Sequence, residues 1–305
     1  MTAPSAVAVR YPAGCGLTWV PLGSAGGFSG ASVWRGEAAG QPVLALKAWP
    51  PGYPADRLTW VHAQMTATGL PFVPRVFATD SGETAVEHAG RVWDVTAWMP
   101  GVADFRRSPT DLRLAAACAS IADLHRVWGR TTTLVRFPAV ARRLAVLSDW
   151  PTDVPAHLGR AVAALRTLVP RAVAELRPLA GQQVGVHPCL CDVWHDHVLF
   201  TGDRVTGVID YGAMKPDHPA VDLARLLGDL VGDEPDRVRF GVAAYRQAGG
   251  SPAVTPELVA LLDRTGLVGA VAVWVRRLSA APPTPAAEAR LDTLLDRLDR
   301  LSRRS

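Results

Sequence analysis

"CLCDVWHDHVLF" (Cys189–Phe200) gathers two cysteines, two aspartates and two histidines, with His187 just upstream, and then runs into an apolar "VLF". Three readings compete for it: a transition-metal cluster, a catalytic loop, or an ordinary turn before a strand. Thiolates and imidazoles are good zinc ligands, which makes His187, Cys189, Cys191, His195 and His197 candidates. Against this, C-x-C is tighter than the usual structural-zinc spacing, and Cys15 and Cys118 lie in other segments. Small buried side chains are the favoured reading of Cys189 and Cys191. The flanking sequence decides among the three.

Downstream, "VLF" and "TGVID" are spaced to pair as a hairpin through the "TGDR" turn, which would bring Asp192, His197 and Asp210 together. The second strand ends in "GVIDYGAM" (Gly207–Met214). A carboxylate at a strand end before a glycine turn is well placed to hold a hard cation, although Asp also begins ordinary β-turns. Upstream, "GSAGGFSGASVWRG" (Gly23–Gly36) reads as a Gly-rich turn between two short strands. Its glycines would let backbone N–H groups approach a phosphate. No Gly-Lys-Ser/Thr follows, so it is not a Walker A loop, and alone it equally fits a plain hairpin.

"VLALKAWP" (Val43–Pro50) adds a lysine on an apolar strand soon after that turn. Only Lys47 and Lys215 of the 32 basic residues are lysines; the rest are arginines. In such a chain a retained lysine points to a place where a compact ammonium is needed, such as beside the α- and β-phosphates of a nucleotide.

The chain has 305 residues, 49% hydrophobic, with a formal charge of +4. That is enough to bury a core. The positive charge is dispersed, with no dense basic block and no interleaved aromatics, which argues against a nucleic-acid partner and suits an anionic small ligand. Four cysteines without a secretory signal predict free thiols in a cytoplasmic protein. The longest strongly apolar run, "LVGAVAVWV" (Leu267–Val275), is too short to span a bilayer, so no membrane partner is expected.

Residues 1–100 are strand-rich: "LTWVPL", "SVWRGE", "PVLALKAW", "RVFATD", "TAVEHAG" and "RVWDVTAWM" are short and rich in β-branched and aromatic residues. One helix interrupts them, "ADRLTWVHAQMTATGL", with Gly69 as its stop. After "MPG" the pattern turns helical. Ser108-Pro109 reads as a cap and first turn, and Pro170 as a kink or break within "RAVAALRTLVPRAVAELRPL". This predicts a β-rich N-terminal lobe over 1–100 and a mostly helical lobe over 101–305, an α+β chain. "SAAPPTPAAE" (Ser279–Glu288) reads as a loop before the last helix. His125, within "ADLHRV", reads as a core-facing or capped helix histidine.

The order of these pieces resembles the aminoglycoside phosphotransferase and choline kinase group of small-molecule kinases, over roughly residues 17 to 232. "GGFSGASVWRG" is similar to that group's nucleotide loop. "CDVWHDHVLF" resembles its catalytic loop, His-Gly-Asp-x-His-x-x-Asn-x-x-Phe, with Asp192 on the catalytic aspartate and His197 on the metal-binding asparagine. "VIDYG" matches its metal motif, and "PAVDLARLLG" its next segment, with Asp222 on a structural aspartate. "ADLHRV" matches a helix ending in Leu-His. The resemblance implies a bilobal protein-kinase-like fold that transfers the γ-phosphoryl group of ATP or GTP to a hydroxyl of a small molecule. Gly26, Gly27, Ser29 and Gly30 would cover the phosphates and Lys47 would pair with them. Ala97, Trp98 and Met99 would form the hinge at the base. Asp192 would be the catalytic residue, and Asp210 with His197 would hold magnesium, or manganese.

The chain departs from the pattern in places. Leu190 and Trp194 replace the motif's two histidines. His197 replaces an oxygen ligand with an imidazole, which suits zinc, manganese or nickel better than magnesium. The helix after Lys47 has no glutamate to pair with it, leaving Asp56, His62 or Gln64 as substitutes. These departures keep open a second reading, a catalytically impaired nucleotide- or metabolite-binding regulator. The acidic Asp229, Asp233 and Glu234 could attract a cationic acceptor or simply be solvated. The sequence fixes neither the acceptor nor an oligomeric state.

Overall fold

The computed structural model describes residues 3–23, 30–129, 134–280 and 284–303. A short helix α1 (Ala3–Ala8) precedes strands β1 (Thr18–Gly23), β2 (Ser32–Ala38) and β3 (Gln41–Ala48). Helix α2 (Ala55–Thr68) follows, then β4 (Ala85–His88) and β5 (Arg91–Ala97). Helix α3 (Asp111–Trp128), β6 (Leu134–Arg136), α4 (Pro138–Ser148) and α5 (Gly159–Leu176) lead to β7 (Gln183–Gly185) and β8 (His187–Cys189). The hairpin β9 (Val198–Thr201) and β10 (Arg204–Val208) comes next, then β11 (Lys215–Asp217). Helices α6 (Ala220–Leu230), α7 (Pro235–Gln247), α8 (Pro256–Ala280) and α9 (Pro285–Ser302) complete the chain. The fold is α+β: an antiparallel five-stranded sheet followed by a mostly helical region.

The chain divides into two compact units, one of residues 1–113 with 195–214, the other of 114–194 with 215–305. In the first, the sheet runs β1-β2-β3-β5-β4. Leu44, Leu46 and Ala48 alternate inward on β3 and pack with Val7, Tyr11, Val86, Trp93 and Val95, the period-two pattern of a half-buried strand. Helix α2 ends at Gly69, whose φ of 60° is the left-handed stop expected of glycine. "RVFATD" does not form a strand; it contributes one bridge, Val76 to Thr96, beside β5. The β9–β10 hairpin forms through the "TGDR" turn, as its spacing predicts, and it groups with this unit. Val102 bridges Phe200. Gly101 explains the glycine of "MPG": at φ 100° it lies against the Phe200 backbone and Thr206, where a Cβ has no room.

The second unit is helical. Helix α3 is capped by Thr110, whose hydroxyl accepts from Arg113 N at 3.1 Å, rather than by Ser108. Helix α5 runs unbroken through Pro170, which lies on its exposed face, where water can serve the carbonyl that proline cannot. The apolar run 267–275 is part of the 25-residue α8, which is long and apolar enough to cross a membrane by length and composition. Here α8 packs against α4, α5, α6 and α9, and Val271 and Val275 are fully buried. It is the core helix of this unit.

Candidate active site

Lys47 sits on β3 opposite Val33 and Asp94. Its ammonium donates to Asp210 Oδ1 at 2.9 Å and lies 3.9 Å from the centre of the Trp49 ring, within cation–π reach. Of the substitutes named for the missing glutamate, Asp56 accepts from the adjacent Arg57 N at 2.8 Å. His62 is buried and bonds Asp94 Oδ2 at 3.1 Å, while Trp49 Nε1 donates to the other oxygen of Asp94 at 2.7 Å. Helix α2 instead reaches the Asp-Tyr-Gly turn directly. Arg57 Nη2 donates to the Gly212 carbonyl at 3.2 Å, and Tyr53, just before α2, donates its hydroxyl to the same carbonyl at 2.9 Å. Gly212 lies against the Trp49 ring, so no Cβ fits there.

Asp210 has φ 61° and ψ 72°, left-handed for a non-glycine residue, a strained conformation of the kind concentrated at functional sites. Its Oδ1 accepts from Gly212 N at 3.4 Å, and its Oδ2 lies 3.8 Å from His197 Nε2. Desolvation works to raise its pKa, but Lys47 and His197 outweigh it, and the carboxyl is held below its usual range. The His197 carbonyl also accepts from Ile209 N at 2.9 Å, which locks the histidine to the strand that carries Asp210. Lys47, His197 and Asp210 thus come together in the first unit. A carboxylate oxygen and an imidazole nitrogen 3.8 Å apart are close enough to serve one divalent cation, and the mixed donor set suits manganese at least as well as magnesium.

Gly26, Gly27 and Ser29 lie outside the described residues. Gly30 is described, with φ 79°, and its carbonyl accepts from Arg91 Nη2 at 2.9 Å. The same guanidinium donates to the carbonyls of Ala48 and Trp49, each at 2.7 Å, tying the end of the Gly-rich turn to the end of β3. Sequence reasoning missed Arg91 because nothing local distinguishes it from 29 other arginines. In the 97–99 stretch, Ala97 N donates to Arg75 O at 2.8 Å and Trp98 N to Val43 O at 3.0 Å. Those two N–H groups are already engaged.

Asp192 belongs to the second unit. Its Oδ1 accepts from Arg225 Nε at 3.0 Å, and half of its side-chain surface is exposed. The backbone leading to it is held from α6: Asp222, fully buried, accepts from Leu190 N at 2.8 Å and from Cys191 N at 2.7 Å. Asp222 Oδ2 also faces His125 Nε2 at 3.0 Å, and His125 Nδ1 faces the Tyr245 hydroxyl at 2.9 Å. His125 is therefore buried, as expected, and braces the aspartate beneath the loop.

The zinc reading fails on this geometry. Among the described residues, the one set of three or more His, Cys, Asp and Glu side chains grouped closely enough to ligate one ion is His125, Cys189 and Asp222, not the five named from the sequence. That trio is already spent: Asp222 holds backbone and histidine, and Cys189 Sγ donates to Asp217 O at 3.3 Å. Burial, and then the nearby Asp222, hold the Cys189 thiol far above its ordinary pKa, the wrong state for a metal ligand.

With this geometry in view, comparison with known proteins becomes informative. The profile of the phosphotransferase enzyme family, APH, matches residues 22–262, from the Gly-rich turn into α8. The chain belongs to the APH phosphotransferase family. No curated protein matches it. Among solved structures, this APH-family chain is similar to spectinomycin phosphotransferase APH(9)-Ia in complex with ADP and spectinomycin, at 12% identity and a TM-score of 0.65 over 93% of this chain and 88% of that one. It is also similar to a choline/ethanolamine kinase family protein from Mesorhizobium loti, at 17% identity and 0.62 over 98% and 95%. A third is amicoumacin kinase hAmiN with AMP-PNP, Ca2+ and its ligand Ami, at 11% identity and 0.63 over 97% and 92%. At these identities the likeness establishes a shared kinase-like fold.

Proposed function

We propose that this APH-family protein transfers the γ-phosphoryl group of ATP or GTP to a hydroxyl of a small molecule. The observation that carries this reading is the Lys47–Asp210–His197 cluster: the sparsely used lysine of the chain bonded to a strained carboxylate at the end of the Asp-Tyr-Gly strand. The nucleotide complexes among the similar structures support it.

In this reading Lys47 leaves Asp210 to bind the α- and β-phosphate oxygens, and Asp210 with His197 would hold a divalent cation. Such a cation supplies charge neutralisation on the phosphates. Gly26, Gly27, Ser29 and Gly30 would cover the phosphates, with Arg91 fixing the end of that turn. Met99 N–H and the carbonyls of Ala97 and Met99 would meet the base, since the N–H groups of Ala97 and Trp98 are occupied. Asp192 orients the acceptor hydroxyl and takes its proton. The hydroxyl oxygen bonds the γ-phosphorus as the bond from that phosphorus to the β–γ bridging oxygen breaks, and the nucleoside diphosphate leaves with the electron pair. Positioning and charge neutralisation carry most of the rate. The helical residues 101–305 would hold the acceptor.

Asp192→Asn tests this directly. We expect nucleotide turnover with an acceptor to fall by about 100-fold or more, while nucleotide affinity measured by calorimetry is retained. Retained turnover would remove Asp192 from the chemistry. Tight nucleotide binding with no transfer to any acceptor, in the unaltered protein, would favour the regulator reading.

A further inference from the structure

Helix α2 has no glutamate for Lys47, yet it is joined to that lysine through buried side chains of the first unit. Leu58 and His62 lie one turn apart on α2 and share its inward face, and Leu58 clusters with Trp49 and Val92. Lys47 stands directly opposite Asp94 in the β3–β5 register. Both side chains therefore leave the same face of the sheet, with Cβ atoms about 5 Å apart. Asp94 is 5% exposed, and its two oxygens bond inward: Oδ1 accepts from Trp49 Nε1, and Oδ2 faces His62 Nε2. A carboxylate only accepts, and His62 Nδ1 is buried with no hydrogen-bond partner among the described residues. A neutral ring with its proton on Nε2 meets both conditions. Trp49 is buried too, and its backbone is held at both ends of the residue: its N donates to Val92 O at 2.8 Å, and its carbonyl accepts from Arg91. The ring fixed in this way lies under the Lys47 ammonium, 3.9 Å from ring centre to nitrogen.

We propose that Asp94 is the positioning carboxylate for Lys47, doing through the Trp49 indole what a helix glutamate would do by direct contact. His62 is the part of α2 that orients it. The proposal rests on the phosphotransfer reading and deepens it. In that reading Asp210 turns to a divalent cation and gives up its bond to Lys47. The Trp49 ring is then what stays beside the ammonium. An indole whose N–H is bonded to an anion carries more electron density on its face, and it attracts a cation there more strongly than a free indole does. Asp210 serves the lysine and the cation in turn, whereas Asp94 keeps its oxygens on Trp49 and His62 throughout.

With only Lys47 and Lys215 in the chain, the ammonium can be followed directly by NMR of the full chain carrying 13C-labelled lysine. The ring current of Trp49 should place the Lys47 ε-methylene protons upfield of their ordinary position, with Lys215→Arg fixing the assignment. Asp94→Asn keeps the shape and removes the charge. We expect it to move that resonance back toward the ordinary position. It should also weaken binding of ADP or GDP with manganese, measured by calorimetry, by about fivefold or more, while affinity for the bare nucleoside stays within about twofold of the parent. In a Lys47→Ala background the same change should alter nucleotide affinity by less than about twofold. A melting curve verifies that each variant is folded. Trp49→Phe, which keeps an aromatic face and deletes the N–H donor, repeats the test if Asp94→Asn does not fold. An ordinary Lys47 shift in the parent, no response to Asp94→Asn, equal losses for nucleotide and nucleoside, or an undiminished loss in the Lys47→Ala background overturns the proposal. If the parent binds neither ADP nor GDP, the phosphotransfer reading falls, and the Lys47 resonance with its response to Asp94→Asn decides the positioning role alone.

Discussion

Cys191 holds its backbone at φ 64°, where a side chain with a Cβ costs roughly 1–2 kcal/mol and glycine costs nothing. The motif that this loop resembles has glycine at that position, so the site was marked in the sequence, one residue before Asp192. Cys191→Gly should therefore raise stability by about 1 kcal/mol in a denaturant titration, offset partly by the added freedom of the unfolded chain. An unchanged or lowered midpoint would show that the thiol's packing outweighs the strain. His197 is the other residue whose identity matters more than its burial. Under the proposed function, in which His197 would stand beside Asp210 at a divalent cation, His197→Asn should move the ratio of magnesium- to manganese-supported activity toward magnesium by about threefold or more. A fall in activity with both metals would give the imidazole a separate task.

At the scale of elements, loop and helix are joined by one buried carboxylate. Asp222 on α6 accepts from two consecutive backbone N–H groups of the loop and from His125 on α3, so a single side chain fixes three segments of the second unit. Removing it leaves buried donors unsatisfied, and Asp222→Ala should destabilise the protein by about 3 kcal/mol or more, read as a lower thermal midpoint. A loss under about 1 kcal/mol would mean that water takes over the bonds. The sequence placed Asp222 correctly because its motif is local. It could not place Arg57, which joins α2 to Gly212 from 155 residues away, nor Arg91, because arginine contacts to backbone carbonyls carry no spacing signature. "RVFATD" has the composition of a strand, but β4 already covers the half of β5 from Arg91 to Asp94, leaving it only the end near Thr96. The β9–β10 hairpin was legible from the spacing of its strands about the "TGDR" turn, whereas its place in the first unit involves contacts such as the Val102–Phe200 bridge, across about 100 residues, that no local pattern encodes.

Across the whole molecule the four thiols report on folding, because their environments differ so sharply. Cys15 is exposed and lies in the first unit; Cys118 and Cys189 are buried in the second. Burial pushes the Cys118 thiol up to about 12, and burial together with Asp222 raises Cys189 and Cys191 as well. At pH 8 a thiol of that kind is ionised in only ~1 in 10,000 molecules, and the thiolate is the reactive form. We expect Ellman's reagent to modify one cysteine quickly in the native protein and all four in denaturant. Cys118 and Cys189 should label in step with the loss of the helical circular dichroism signal contributed by the second unit. The sign of the pH effect follows from the same shifts. The folded thiols stay protonated while unfolded ones titrate near ~8.5, so their contribution to stability is complete below that pH and is lost as pH climbs toward the folded values. Urea midpoints measured from pH 7 to pH 10 should therefore fall above about pH 8.5 in the parent and fall less in Cys118→Ala. Rapid native labelling of Cys118 or Cys189 would place them in a cavity open to solvent, and the buried brace beneath the loop that carries Asp192 would then have to be redrawn.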